Sequence, residues 1–262
     1  MNRMEKIFDE MKAKGEKVTV LYFPIGDTIL GDSVEYAKKY FESGCTVLEI
    51  GLPYEDPYMD GATVADSMER ARGNGVDLLK AFDIIKEIRK ACPDNILQPF
   101  TYMENVMKIG IPAFAEKCHE VDADAVLIPV VTDEQRSELD RELGKYDILN
   151  LRFKPFNMSE EDVKDCVENA RGYIFSQAVD GATGARDTVE PHIADNIKIL
   201  KDAGCEALIV PGFGISNASQ GKEVLNMGAD GFVIGSATVK NIQNGNGVEF
   251  IKSLHEVCMP EA

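Results

Sequence analysis

Tryptophan is absent from this 262-residue chain, and histidine occurs only at His119, His192 and His255. His119 and His255 fall in helix-like stretches, His192 begins one, and none is paired with a plausible nucleophile, so Ser/His and Cys/His mechanisms lack parts. The six cysteines, Cys45, Cys92, Cys118, Cys166, Cys205 and Cys258, form no CxxC motif and no Cys/His pair at metal-ligand spacing. They read as small reduced core residues, and metal catalysis lacks a ligand cluster. Basic residues are scarce: 28 Lys and Arg stand against 45 Asp and Glu, a net charge of −17. Such a surface repels phosphodiester backbones and anionic lipid, which disfavours nucleic-acid and membrane-surface roles. No apolar run reaches membrane-spanning length, and Met1 to Lys17 is charged and helix-like rather than a signal peptide. A soluble, cytoplasmic protein is expected. No Pro/Gly/Ser-rich linker or low-complexity tract divides the sequence, so residues 1–262 are expected to form one domain.

Short apolar runs alternate with longer amphipathic ones. Strands are expected near Val18–Phe23, Thr46–Ile50, Ile96–Tyr102, Ala125–Val131, Ile148–Phe153, Tyr173–Ser176, Ala207–Val210 and Gly231–Ile234. Helical periodicity covers Ser33–Ser43, Asp77–Ala91, Ile111–Val121, Glu160–Ala170, His192–Ala203 and Ser219–Met227. Strand–helix alternation repeated in this way predicts an α/β protein, a (β/α)8 TIM barrel with an extra N-terminal helix. The longest connections follow the second strand (51–75) and the sixth (177–191), and barrel active sites are built from loops that follow strands.

Glu49 is the outstanding residue, a lone carboxylate in the apolar run Thr46–Ile50. The segments beginning Gly44, Gly204, Gly228 and Asp122 share one strand-entry pattern, which puts Glu49 in register with Ile209, Val233 and Leu127. A carboxylate at an apolar lining position is costly unless it is paired or neutral, so the choice lies between a structural ion pair and chemistry. After it come Glu55, Asp56 and Asp60 on the loop. Asp60, between Met59 and Gly61, is the best second carboxylate; Asp56 suits a turn.

An anion site is expected near the C-terminus. Pro211-Gly212-Phe213-Gly214-Ile215-Ser216 follows the seventh strand, and Ile234-Gly235-Ser236-Ala237-Thr238 follows the eighth and opens a helical turn. Glycines let backbone N–H groups converge on an anion, and a helix N-terminus adds favourable partial charge. The stretch Gly181-Ala182-Thr183-Gly184-Ala185-Arg186 has two glycines that suit a mobile lid, with Arg186 either contacting phosphate or solvated.

With these motifs in order, the chain resembles the tryptophan synthase alpha subunit family. The likeness runs from about Val18 to Val239 and includes Gly26-Asp27, Leu48-Glu49-Ile50-Gly51-Leu52-Pro53, Asp56-Pro57, Asp60-Gly61, Gly181-Ala182-Thr183-Gly184, Gly212-Phe213-Gly214-Ile215-Ser216 and Gly235-Ser236-Ala237. The resemblance implies retro-aldol cleavage of indole-3-glycerol phosphate, with Glu49 as the proton-transferring acid/base and Asp60 holding the indole N–H. It implies phosphate binding by Gly184, Gly214, Gly235 and Ser236, with Thr183 at the substrate, and an aromatic-binding wall of Tyr22, Phe100, Tyr102, Leu127, Phe153 and Phe213. It implies no cofactor in this chain, pyridoxal phosphate being expected only in a beta-subunit partner. The chain departs from the family pattern at Phe175 (usually tyrosine), Val179 (usually arginine), Pro24 (usually threonine), Pro129-Val130 (usually Ala-Asp) and Glu104 (usually asparagine); Val130 and Glu104 bear on the beta-subunit face. Two alternatives stay open: a paralogue acting on another phosphorylated aldol-type substrate, and a non-catalytic subunit that regulates a beta-like partner.

Overall fold

The structure, a computed structural model, describes residues 1–178 and 189–260. Its strands are β1 (Val18–Phe23), β2 (Val47–Gly51), β3 (Ile96–Phe100), β4 (Ala125–Val126), β5 (Leu149–Asn150), β6 (Arg152–Lys154), β7 (Tyr173–Gln177), β8 (Leu208–Gly212) and β9 (Gly231–Ile234). All pairings are parallel and run around a ring. β9, β1, β2 and β3 form one ladder, β4 pairs with β5, and β6, β7 and β8 form another. The ring closes where Asp230 N donates to Ile209 O at 3.0 Å and Ile209 N donates to the Asp230 carboxylate at 3.0 Å. β5 and β6 are consecutive pieces of one stave, joined through Leu151, whose amide donates to Val126 O at 2.9 Å.

The β3–β4 seam is reduced to a single bridge, Phe100 to Leu127. Pro99 explains the reduction. Its carbonyl accepts from Leu127 N at 3.0 Å, so its nitrogen lies on the same edge and has no hydrogen to give β4. For this reason β4 is shorter than the Ala125–Val131 run expected from its apolar sequence.

The ring is enclosed by α1 (Arg3–Lys14), α2 (Ser33–Glu42), α3 (Ala62–Gly73), α4 (Leu78–Ala91), α5 (Met103–Met107), α6 (Ile111–Glu120), α7 (Asp133–Gly144), α8 (Glu160–Glu168), α9 (His192–Asp202), α10 (Ala218–Asn226), α11 (Ser236–Gln243) and α12 (Gly247–Glu256). Local caps set several starts: Asp32 accepts from the amides of Val34 and Glu35, and Thr132 with Gln135 and Ser159 with Asp162 make capping boxes. Four of these helices, α3, α5, α7 and α12, fall outside the helical stretches expected from sequence. α3 occupies the long connection after β2, and α7, with few buried residues, is too polar to show a strong apolar stripe.

Burial falls into two layers. Leu48, Ile50, Leu97, Ile174, Ile209 and Phe232 face the helices, while Val20, Val47, Ile96, Leu127, Leu149, Tyr173, Val210 and Val233 fill the barrel. Val233 and Leu127 thus share the lining layer with Glu49, as their register predicts. Ile209 does not: its segment is offset by one residue, and in a strand that offset reverses the face, so Val210 lines the interior instead.

α1 closes the amino-terminal end of the barrel with Met4 and Phe8, both buried in the interior cluster. Its attachment is polar. Asn2 Nδ2 donates to Asp124 O at 2.8 Å and Asp147 O at 2.6 Å, and Arg3 pairs with Asp122 and Asp124. Asp124 is buried and also takes Arg89 Nη2 at 2.7 Å and Leu97 N at 2.8 Å. The opposite, carboxyl-terminal rim is left open for a site.

Candidate active site

A cavity at that rim is lined by Tyr22, Glu49, Met59, Asp60, Val64, Phe100, Leu127, Pro129, Phe153, Phe175, Phe213, Gly214, Ile215, Val233, Gly235, Ser236 and Ala237. Most of its wall is apolar. Its polar groups are two carboxylates, a phenol and the start of one helix.

Glu49 projects from the middle of β2 and is only 5% exposed. Among the described residues no lysine or arginine pairs with it, so the ion-pair alternative fails. Its Oε2 accepts from Gln98 Nε2 at 3.2 Å, and Gln98 stands directly opposite on β3. Burial disfavours the charged form and pushes the Glu49 carboxyl up to about 8; the Gln98 bond works against this, and the negative charge of Asp60 adds to it. Near neutral pH Glu49 therefore holds its proton and can still release it.

Asp60 sits on a tight turn after β2, its amide donating to Pro57 O at 2.9 Å. Tyr102 Oη donates to Asp60 Oδ2 at 2.6 Å. Tyr102 is fully buried, stacked on Tyr54 with ring centroids 5.3 Å apart and packed by Tyr58 at 4.8 Å. It braces Asp60 from behind the wall and does not itself line the cavity. Burial and the adjacent negative charge raise the Tyr102 phenol, so it remains a hydrogen-bond donor.

The third polar element joins β8 and β9. Phe213 and Gly214 after β8 both take left-handed backbone, with φ 73° and 84°. At Phe213 this is an uncommon conformation for a bulky residue, and it turns the ring against Phe153 and Phe175, 6.4 Å and 5.4 Å away. Gly235 precedes α11 without any side-chain cap, so the first amides of that helix have no intrahelical partner. Ser236 is 6% exposed and its Oγ has no hydrogen-bond partner among the described residues. Buried polar atoms are nearly always paired, which makes this hydroxyl suited to a ligand.

Two further glycines shape the wall. A Cβ on Gly51 would lie 2.2 Å from Tyr22 Oη, and one on Gly212 would lie 2.3 Å from Phe175 Cζ. Each strand end must be glycine for the neighbouring ring to pack.

Of the residues expected from sequence, Glu49, Asp60, Phe213, Gly214, Gly235 and Ser236 meet in this cavity, as do Tyr22, Phe100, Leu127 and Phe153. Thr183, Gly184, Val179 and Arg186 lie outside the described residues. Pro129 and Phe175 are in the wall, whereas Pro24, just after β1, is buried and does not line the cavity, and Val130 and Glu104 are exposed on the rim. Sequence reasoning missed Gln98 and Tyr173. Gln98 carried the same signal as Glu49, one polar residue in an apolar strand.

Fold and site together define a (β/α)8 barrel whose carboxyl-terminal cavity combines a buried carboxyl, a second carboxylate and an uncapped helix start. The family model described as the tryptophan synthase alpha chain matches residues 8–259. A tryptophan synthase alpha chain from Thermoanaerobacter sp. (strain X514) is 31% identical over 265 residues, covering 98% of this chain and 100% of that one. One from Caldanaerobacter subterraneus subsp. tengcongensis is 29% identical over 260 residues, covering 99% and 98%. For the fold, a solved tryptophan synthase structure from Mycobacterium tuberculosis superposes with a TM-score of 0.90 over 99% of each chain at 23% identity. The chain belongs to the tryptophan synthase alpha chain family and is a lyase of that type. The alpha chain carries no cofactor; pyridoxal phosphate resides in the beta subunit with which this family normally pairs.

Proposed function

We propose that the chain cleaves indole-3-glycerol phosphate to indole and glyceraldehyde 3-phosphate, with Glu49 and Asp60 as its catalytic residues. The observation that carries this reading is a buried Glu49, its carboxyl raised to about 8, sharing one largely apolar cavity with Asp60 and a Ser236 hydroxyl that has no partner among the described residues.

In this reading the phosphate takes the amides after Gly235, the Ser236 hydroxyl and the Gly214 turn, with Thr183 and Gly184 from the connection between β7 and β8. The aromatic ring lies among Tyr22, Phe100, Leu127, Phe153 and Phe213. Glu49 begins protonated and gives its proton to indole C3. Asp60, as an anion at the ring N–H, balances the positive charge that spreads over the ring. The Glu49 carboxylate then removes the proton of the glycerol hydroxyl, the C–C bond breaks, and its electron pair restores the indole. Aldehyde and indole leave with Glu49 protonated as it began, so one group serves both steps. Tyr102 keeps Asp60 in place through this cycle.

The chain acts as one barrel domain in the cytoplasm, as suits a biosynthetic lyase with free cysteines, and indole passes to a pyridoxal-phosphate-bearing beta subunit. Exposed Val130 and Glu104 would give that contact its own chemistry on this chain. The test is indole release from indole-3-glycerol phosphate by the purified protein, alone and with a cognate beta subunit. Activity no greater than that of Glu49→Gln would overturn the reading. A second reading, another phosphorylated aldol-type substrate, draws on the apolar Pro129 and Phe175 in the wall. It would gain support if such a compound raised the melting temperature more than indole-3-glycerol phosphate does.

A further inference from the structure

Three polar side chains run through the barrel interior to the cavity wall. Tyr173 on β7 and Gln98 on β3 are both 0% exposed, and Glu49 on β2 is 5% exposed. Tyr173 Oη donates to Gln98 Oε1 at 2.6 Å, and Gln98 Nε2 donates to Glu49 Oε2 at 3.2 Å. Around them the interior cluster is apolar, with Val47, Ile96, Leu127, Val210 and Val233, apart from the Tyr22 phenol on β1, which stands in register with Glu49. A glutamine amide at such a site has to be paired at both ends, and here each end has one partner.

We propose that Gln98 is a positioning residue for Glu49, its amide fixed by Tyr173 so that it grips one carboxylate oxygen and leaves the other to exchange the proton. The inference rests on the proton-transfer role given to Glu49 above. The order of the chain sets its direction. Tyr173 has one hydrogen to give, and once that reaches Oε1 the amide must turn Nε2 toward Glu49. Glu49 Oε1 has no hydrogen-bond partner among the described residues, which makes it the oxygen that carries the proton. On the inward face of β7 the next residue toward the rim is Phe175, which has no polar atom to offer. The polar support of Glu49 thus comes from one layer below, through Gln98.

A donor on Oε2 also favours the carboxylate form and so opposes the burial that raises the Glu49 carboxyl. The titratable groups facing Glu49 are Asp60 from the loop after β2, Tyr22 from β1 and Tyr173 from β7. Both phenols are raised by burial and stay neutral, so Asp60 is the charged neighbour and is common to all the variants compared.

The experiment follows the Glu49 carboxyl by 13C NMR titration in glutamate-labelled full-length protein, its signal identified by loss in Glu49→Gln. Gln98→Met keeps the bulk and removes the donor. It is expected to move the Glu49 midpoint up by about one pH unit, shift the alkaline limb of indole release the same way, and lower kcat about tenfold with little change in KM. Tyr173→Phe, which frees the amide to turn, is expected to cause a smaller shift in the same direction. The double variant is expected to do no more than Gln98→Met alone, since Tyr173 acts through Gln98. A merely structural glutamine would lower stability and leave the midpoint and limb unmoved, and that result would overturn the proposal. Should Gln98→Met fail to fold, Tyr173→Phe decides alone, an unmoved midpoint counting against the clamp. The titration needs no turnover, so wild-type protein that releases no indole would sink the reaction assigned above while the clamp was still measured.

Discussion

At the scale of single residues, Glu49 is where stability and chemistry pull apart. Its carboxyl titrates near 8 in the fold against 4.5 for the ordinary group, so between those values the folded chain keeps a proton that the unfolded chain releases. Stability then falls as pH rises through that window and levels off above it, by roughly 3–5 kcal/mol in total. Glu49→Gln removes the penalty. The variant should gain on wild type between pH 5 and pH 9 in urea denaturation, while indole release is lost at every pH. For wild type, kcat is expected to decline as pH passes about 8, because the acid form is consumed. Glu49 itself was legible in the sequence from polarity alone. Tyr173 was not, because a tyrosine in a strand reads as packing until the fold shows that its hydroxyl meets Gln98 at a sequence separation of 75.

At the scale of elements, the turns after β8 and β9 matter more than the strands they follow. Ser236, first residue of α11, carries the hydroxyl that has no hydrogen-bond partner among the described residues. Ser236→Ala should raise KM for a phosphorylated substrate by about ten- to a hundredfold with kcat nearly unchanged, the signature of a hydrogen bond to a charged group made equally in ground and transition states. Steady-state kinetics will show whether the loss falls on KM. Gly212 has a purely steric duty, since a methyl there would lie 2.3 Å from the Phe175 ring. Gly212→Ala should lower stability by about 1–3 kcal/mol, and adding Phe175→Leu should restore part of it, as read by urea denaturation. The Gly-Phe-Gly motif was visible in sequence, but the left-handed conformation of Phe213 was not, because nothing in a phenylalanine announces a positive φ.

At the scale of the whole molecule, the barrel has a working end and a holding end. The holding end is sealed by α1 and by the group Arg3, Arg89 and Asp124, in which burial raises the Asp124 carboxyl while the two guanidinium groups oppose the shift. Arg89→Met would leave a buried carboxylate with half its cationic support. We expect a loss of about 3 kcal/mol, read by chemical denaturation, with KM unaffected because the site lies at the opposite rim. Separating the two ends lets the rim carry an ungripped hydroxyl and a carboxyl of abnormal proton affinity without loosening the core.

Alternating apolar strands and amphipathic helices were enough to determine the barrel, because burial of a two-residue period against a 3.6-residue one admits few other closed architectures. The same reasoning marked Glu49 and the glycine-rich turns, since a charge in an apolar strand and paired glycines after strands are local facts. Only the tertiary structure decided which residues answer one another across the barrel. It set Val210 rather than Ile209 inside, braced Asp60 with Tyr102, and ran Tyr173 through Gln98 to Glu49. Those outcomes depend on register and on distance across the ring, and neither is recorded in the order of residues along one strand.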